Sequence, residues 1–526
     1  MFAFLRKRAM PVLHTPLHAV EWDGRTLSLV FDASVAGDIA LDVDGAFFSA
    51  APLHAAGRAR FEFAFSPSGH AAIDVLPRLG RDGPALAARA LPVVFGQRGL
   101  AASAPHAFPA LVPLKTSARG MPFGIDCGTH EVAIVVPVYN APELVERCLS
   151  SVLAHTNGRA RLIVIDDASP DPAIAPLLAR YVGMARVRVL RNEANRGFTA
   201  TANRGIDLAA GADVVLLNAD TEVGPGWLSG LRRAAYSSDD IATATAVSDN
   251  AGAFSVPELE QVTRLPACWT FEQSARALWQ HAGLAYPQLP TGNGFCLYIR
   301  RSVIEAVGVL DETAFAQGYG EENDFCQRAA QEGLRHVIAG NVLVRHARSA
   351  SFGDERRAAL GRTGMALLRD RWPDYERDVG AALFSFERRV LDWRVRRLFV
   401  DARDDNGPRM RLLWVGAGAP DWPDAEVWVL RANGAQNELV FEGVVVAANT
   451  WVASDPEPSY HALWVWLQIY AIECLIVTEL KQSAAEILCR LLDIPIAQID
   501  MPLATSARDA LCRAESGLRS FPEPST

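Results

Sequence analysis

Three apolar runs of strand length, each ending in polar residues, constrain this chain more than anything else in it. Val132–Val138 runs into Tyr139 and Asn140, Arg161–Ile165 into Asp166 and Asp167, and Val214–Leu217 into Asn218, Ala219 and Asp220. Runs apolar at nearly every position suit strands buried on both faces, as in parallel sheets. Segments of helical length separate them at Pro142–Ala154, Pro172–Val182 and Phe198–Ala209, with a further strand at Arg186–Leu190. That alternation predicts βαβ units with right-handed crossovers. The polar strand ends then collect at the carboxyl edge, where open α/β sheets bind ligands.

From about 240 to 375 the pattern is less regular. It offers a strand at Ile241–Val247, a helix at Phe271–Ala282, a strand at Phe295–Arg300 and an amphipathic helix near Glu322–Glu332. Gly333 is placed to end that helix as a left-handed cap. Residues 1–115 differ, with alternating pieces such as Thr26–Phe31, Ile39–Val43 and Arg60–Phe65 between Asp-Gly and Ser-Pro-Ser-Gly turns. Such spacing predicts a small β-sandwich. The expected plan is therefore residues 1–115 as a β domain, a connection at Ala101–Thr129, and 130–375 as an α/β catalytic domain. An Arg-rich helical linker at 376–408 and a smaller Rossmann-like α/β domain at 409–515 follow. In the last, Arg411–Val415 leads into Gly416-Ala-Gly418, a weak nucleotide signal without its third glycine. Six tryptophans (414, 422, 428, 451, 464 and 466) fall there, and core packing is a simpler reading of them than sugar stacking.

Composition excludes some classes. A net charge of −9 gives no electrostatic case for nucleic acid. Eight cysteines scattered without a Cys-x-x-Cys pair suit reduced thiols in the cytoplasm and argue against structural zinc. The longest apolar run, Ala462–Leu480, holds Gln468, Glu473 and Glu479 and reads as buried core, because an acid near the centre of a spanning helix is costly. Met1–Met10 is apolar and then basic, the reverse of a secretory signal. It allows at most a peripheral touch on the inner membrane surface, on the cytoplasmic face.

The chemistry sits at the strand ends. Asp166 and Asp167 can accept from a base N–H or ribose hydroxyls, or bind a metal; a turn or N-cap role before Pro170 is the alternative. Together, Val132-Ala-Ile-Val-Val-Pro-Val-Tyr-Asn140, Ile165-Asp-Asp-Ala-Ser169, Asn195-Arg-Gly197 and Leu217-Asn-Ala-Asp-Thr-Glu222 resemble glycosyltransferase family 2. This is the inverting group with the GT-A fold, and the bacterial rhamnosyltransferase-like branch is most similar. The resemblance covers about residues 131–350 and neither flanking domain.

The resemblance implies that Pro137, Tyr139 and Asn140 line a nucleotide pocket and that Asp167, beside Asp166, recognises base or ribose. Asn218-Ala219-Asp220 stands for the family's Asp-x-Asp motif with its first acid replaced, so Asp220 carries the metal role. One carboxylate, the sugar diphosphate and water can complete an octahedral site for Mg²⁺ or Mn²⁺. Asn195, Arg196 and Gly197 open a helix and either contact phosphate or serve only as its entry. Gly318-Tyr-Gly-Glu321-Glu322-Asn-Asp324 matches the segment carrying the catalytic base. Glu322 aligns best, Glu321 and Asp324 are the alternatives, and all three also complement a helix N-terminus. His346, in Val344-Arg-His346, matches a late metal-binding histidine. Thr291-Gly292-Asn293-Gly294 matches a loop bordering donor sugar and acceptor.

The function so implied is inverting transfer of a sugar from a nucleoside diphosphate, UDP- or dTDP-linked, to a glycan or lipid-linked glycan hydroxyl. The acceptor class is polysaccharide or lipopolysaccharide. The alternative is a catalytically silent nucleotide-sugar-binding scaffold in a glycan-assembly complex. Nucleotidyl transfer is disfavoured, since Val138-Tyr-Asn-Ala-Pro142 lacks a Gly- and Lys/Arg-rich loop.

Overall fold

A computed structural model describes most of residues 131–400 (not 157–159, 260, 283–285, 317 and 348–353), the strands between 17 and 101, and parts of 402–511. The basic N-terminal tail and the connection at 102–129 lie outside the described residues. Two compact units emerge, Met1–Arg119 with Val429–Ile469, and Gly120–Trp428 with Tyr470–Thr526. This division passes through 409–515, which the sequence presents as one domain.

The first unit contains β1 (Leu17–Trp22), β2 (Thr26–Ala33), β3 (Gly37–Val43), β4 (Ala46–Leu53), β5 (Gly57–Ala64), β6 (Ala72–Leu79), β7 (Leu91–Gly96) and β8 (Gly99–Ala101). They form two antiparallel sheets, ordered β1-β2-β5 and β4-β3-β6-β7-β8. In β3 every residue from Ile39 to Val43 is buried, and Asp42 among them is paired with Arg78 at 2.5 Å. A hairpin of Gln436–Phe441 and Val444–Thr450 belongs to the same unit.

The second unit begins with β9 (Val132–Val138), α1 (Pro142–His155), β10 (Arg161–Asp166), α2 (Ile174–Ala179), β11 (Val187–Arg191), α3 (Phe198–Leu208) and β12 (Asp213–Leu217). Next come β13 (Thr221–Val223), α4 (Trp227–Ala235), β14 (Ile241–Val247), α5 (Phe271–His281), β15 (Cys296–Ile299), α6 (Arg301–Val307), α7 (Glu321–Gln331) and β16 (Arg335–His346). Helices α8 (Asp354–Arg371), α9 (Tyr375–Leu383) and α10 (Phe386–Val400) follow. The sheet order is β11-β10-β9-β12-β15-β14-β16-β13. The first four strands are parallel, β15 is antiparallel to both neighbours, β14 and β16 are parallel, and β13 runs against β16.

The unbroken apolar runs are explained by cover on both faces. On one face Ala133, Val135, Ile163, Ile165, Val214 and Leu216 pack with Ala202 and Ile206 of α3 and with Phe325 of α7. Burying side chains of this size contributes roughly 1.5–3 kcal/mol each. Helix α3 approaches so closely that a Cβ on Gly205 would lie 2.1 Å from Val135 Cγ1. Between β14 and β16 the register jumps, Ala246 facing Ala339 and Val247 facing Leu343, so Gly340–Val342 bulge out of the ladder.

The Arg-rich segment expected as a linker is instead folded into this unit. Arg388, Leu391 and Val395 of α10 are 1%, 0% and 0% exposed. Two of its arginines work inside the protein, where Arg388 pairs with Asp392 and Arg394 donates to the Ala282 carbonyl. Beyond it, β17 (Met410–Val415) pairs in parallel with Cys474–Val477, which pairs in parallel with Ile496–Gln498. Glu473 fastens this smaller sheet to α5, accepting from Arg276 Nε and Gln280 Nε2, both at 2.7 Å. The acid inside the apolar run is thus neutralised in the core. Trp414, Trp422, Trp428 and Trp466 are buried, as core packing requires, while Trp451 and Trp464 lie outside the described residues. Among the described residues no helix is long and apolar enough to cross a membrane.

His336 of β16 ties three elements together. Its Nδ1 is 2.8 Å from Thr243 Oγ1 of β14 and its Nε2 is 2.9 Å from the Cys326 carbonyl of α7. Burial lowers its pKa from 6.5 to about 4. The folded protein therefore binds fewer protons than the unfolded chain between these values, and stability falls as pH drops through the window. Urea unfolding at pH 7 and pH 5 is expected to show wild type losing about 2 kcal/mol more than His336→Gln.

Candidate active site

The carboxyl edge of the sheet gathers most of the residues singled out above, in unequal roles. Asn140 and Ala141 have φ of 59° and 56°, so two left-handed residues turn β9 abruptly into α1. Asn140 holds the turn by accepting from Asp171 N–H at 3.2 Å while its own N–H donates to Ser169 Oγ at 2.9 Å. Pro137 and Tyr139, half-buried, end β9 beyond the ladder with β12, which stops at Val135, so no hydrogen bond to β12 is lost at the proline.

Asp166 is not available to a ligand. It is buried, ion-paired with Arg191 and accepts from Ser169 N–H at 2.9 Å, so it performs the turn role. Asp167 is largely spent as well, accepting from Asn192 Nδ2, Arg196 N–H and Gly197 N–H at 2.7, 2.8 and 2.9 Å. A carboxylate accepts about four hydrogen bonds, which leaves room for one more donor. The two backbone N–H groups that Asp167 takes belong to Arg196 and Gly197, just before α3 begins. Asn195 Oδ1 accepts from Gly197 N–H at 3.1 Å, and the Arg196 guanidinium lies 3.9 Å from Glu312.

At the end of β12 the chain crosses to the other side of the sheet. Asn218 N–H donates to the Phe295 carbonyl at 3.0 Å, and Ala219 leads to Asp220, whose carbonyl accepts from Ala347 N–H at 3.0 Å. The antiparallel register of β13 and β16 sets Thr221 opposite His346. It thereby brings His346 Nε2 to 3.3 Å from Asp220 Oδ1. His346 Nδ1 lies 3.1 Å from the Asn250 carbonyl. A carbonyl only accepts, so Nδ1 carries a hydrogen and Nε2 is the nitrogen turned to Asp220. The Phe295 ring stacks on the imidazole at 5.3 Å. Asp249 and Asn250, which the sequence gave no reason to single out, grip His346 from the loop after β14.

Gly292–Phe295 bridges to the acids of α7. Gly292 N–H donates to Cys326 Sγ at 3.1 Å, Asn293 N–H donates to Thr245 Oγ1 at 3.3 Å, and Asn293 Oδ1 accepts from Phe295 N–H at 3.1 Å. A Cβ at Gly292 would sit 2.4 Å from Leu297 Cδ1, so the loop is packed to the atom. At α7, Gly320 has φ of 143° and a Cβ there would lie 2.5 Å from Phe315 Cε1, so the tight turn demands glycine.

The three candidate acids separate cleanly. Burial, and then the charge of Glu322, push the Glu321 carboxyl well above the usual range, so Glu321 keeps its proton. Burial also raises Glu322, opposed by hydrogen bonds from its own N–H, the Glu321 side chain and Gly294 N–H. The second oxygen of Glu322, Oε2, is buried and has no hydrogen-bond partner. Asp324 is withdrawn from candidacy, because it accepts from Arg328 Nε at 2.9 Å, Arg371 Nη1 at 3.0 Å and Trp372 Nε1 at 3.1 Å. It is a buried structural anchor for α8.

The mostly parallel α/β sheet, with acids at its carboxyl edge, fits the GT-A fold. Residues 133–308, about a third of the chain, match the model of glycosyl transferase family 2. It is similar to an uncharacterised glycosyltransferase, YibD, of Escherichia coli strain K12, with 32% identity over 121 residues, 22% of this chain and 34% of that one. Similarity to the succinoglycan biosynthesis protein ExoO of Rhizobium meliloti is 33% over 98 residues, 19% and 28% of the two chains. The match thus spans about a third or less of these relatives' length. The crystal structure of GalNAc-T7 with UDP, GalNAc and Mn²⁺ overlaps at a TM-score of 0.37 and 17% identity, over 48% of this chain and 50% of that one.

Asp324→Ala strips a carboxylate from two arginines and is expected to cost roughly 3 kcal/mol of stability. Urea unfolding checks this, with nucleotide affinity of the folded protein unchanged.

Proposed function

We propose that the second unit transfers a sugar from a UDP- or dTDP-linked donor to a hydroxyl of a growing glycan, with inversion, and that Glu322 is the base. The observation that carries this reading is the unpartnered Glu322 Oε2. A buried carboxylate oxygen without a donor is costly, and an acceptor hydroxyl supplies the donor it lacks. Glu321, protonated beside it, steadies the ionised form. As the acceptor oxygen bonds to the anomeric carbon, its proton passes to Glu322. The bond from that carbon to the diphosphate breaks, and its electron pair leaves with the diphosphate. A single displacement from the opposite side inverts the centre and needs no covalent enzyme intermediate.

Asp220 and His346 fit a divalent cation, Mg²⁺ or Mn²⁺. A metal-binding histidine characteristically donates its other N–H to a carbonyl, as His346 does to Asn250. Among the described residues no group of three or more His, Cys, Asp or Glu is disposed to hold a metal. Asp220 and His346 would therefore supply two ligands, with diphosphate and water completing the shell. When bound, the cation neutralises charge developing on the leaving diphosphate. Tyr139, Asn140 and the remaining acceptor site on Asp167 border the nucleotide side, and Gly292–Phe295 separates the base from the metal end. Similarity to ExoO supports a polysaccharide as the acceptor class, and six free cysteines among the described residues suit a cytoplasmic site of action, at the inner membrane when the acceptor is lipid-linked.

Calorimetry with UDP, dTDP and GDP, with and without Mn²⁺, tests the donor side. Tight metal-dependent binding of one nucleotide is expected, and Asp220→Ala should lose the metal dependence. Glu322→Gln is expected to lower kcat by about 10³-fold with nucleotide affinity retained, whereas Glu321→Gln, which still donates, keeps most activity. The acidic limb of kcat/KM should lie above the ordinary glutamate value of 4.5, because the base must be ionised and burial raises it. Binding without any transfer would instead make the domain a silent scaffold.

A further inference from the structure

Beyond residue 308, outside the matched family segment, the chain supplies a clamp on the metal end of the site. We propose that Arg388 of α10 is a positioning residue for His346; this rests on the metal reading above. Arg388 is 1% exposed and its guanidinium is fully engaged. Nε and Nη2 donate to the Asp392 carboxylate at 3.1 and 3.0 Å, Nη1 donates to the Ala253 carbonyl at 2.6 Å, and Nη2 also donates to the Ser255 carbonyl.

Those two carbonyls belong to the loop that holds His346. The loop closes on itself through Ser248 N–H to the Phe254 carbonyl and Val256 N–H to the Ser248 carbonyl, both 3.0 Å, and Ala251 N–H to Ser255 Oγ at 2.9 Å. From its tip the Asn250 carbonyl accepts from His346 Nδ1 at 3.1 Å, and Asp249 Oδ1 accepts from His346 N–H at 3.2 Å. The loop thus fixes both the tautomer and the direction of the ring, and Nε2 is delivered to Asp220 at 3.3 Å. Arg388 fixes the loop.

An arginine is required for this. Two carbonyls and a carboxylate must be reached from one buried point, and a planar fork with five N–H donors does so where the single ammonium of lysine does not. The pair with Asp392 neutralises the charge locally, so the guanidinium can be buried without an ion from solvent. Arg396, on the same helix, offers an internal control. It is 47% exposed by its side chain, pairs with Glu258 and donates to the Pro257 carbonyl at 3.3 Å, both past the loop that closes at Val256.

The test uses the full chain, with Mn²⁺ titrated calorimetrically in the presence of UDP and ¹⁵N-histidine spectra recorded on metal-free protein. Arg388→Ala is expected to weaken Mn²⁺ binding about tenfold and Arg388→Lys by less, with UDP affinity in the absence of metal unchanged. Arg396→Ala should match wild type. The His346 resonances should move from the Nδ1–H pattern towards a tautomer average in the Arg388 variants. If Arg388→Ala fails to fold, Arg388→Lys carries the same comparison. Lower thermal stability with Mn²⁺ affinity and the His346 spectrum at wild-type values would make Arg388 a structural pair only and overturn the inference. Absence of Mn²⁺ binding by wild type would overturn the metal reading instead, and the His346 spectrum would still decide whether Arg388 sets the ring.

Discussion

The antiparallel pairing of β13 with β16, continued by the hydrogen bond from Ala347 N–H to the Asp220 carbonyl, ties the two halves of the second unit together beside Asp220. Parallel strands β9, β10 and β12 point their carboxyl ends the same way, and that geometry alone collects Tyr139, Asp167 and Asn218 at one edge. It does not bring in a residue from the end of β16. The short β13, antiparallel to β16, does so, and makes the Asp220–His346 distance a consequence of strand register. Sites built on strands are held more closely than sites on free loops. The remaining loop, Gly292–Phe295, is itself stitched to β12, β14 and α7.

The acids near this edge are sorted by surroundings. Asp166 is given to Arg191, Asp167 to backbone N–H groups and Asp324 to two arginines and an indole. Glu321 is buried where a charge is costly and holds its proton. The buried Oε2 of Glu322 lies on one side of the Gly292–Phe295 loop, and the Asp220 carboxylate, beside His346, on the other. Groups of one chemical type have thus been driven into different roles by burial and partners.

The first half of the domain was legible because its signals are local. The strand and helix patterns from Val132 to Leu217 depend on periodicity within each segment, and the observed elements β9, α1, β10, β11, α3 and β12 lie within a residue or two of expectation. The three-residue β13 has too little length for a period to show, and α4 and α6 carry arginines that mask their faces. Asp324 was inseparable from Glu322 in the sequence because the partners that claim it, Arg371 and Trp372, lie 47 and 48 residues away. The same distance effect hid the burial of α10, expected as a helical linker: arginines in a polar stretch read as solvated until the carbonyls of Ala253 and Ser255 are seen beneath Arg388. Asp249 and Asn250 are ordinary turn residues in any local view.

The bulge at Gly340–Val342 places a rule on the length of the chain itself. Three residues are inserted between the rungs at Ala339 and Leu343. Because side chains alternate with a period of two, an odd insertion exchanges the faces of everything beyond it. His336 and His346 would share a face in an unbroken strand; with the bulge, one closes on α7 and the other turns to Asp220. With the register beyond the bulge kept, gain of one residue would put Arg345 where His346 stands, and loss of one would put Ala347 there. The length of that short segment therefore decides which side chain reaches Asp220.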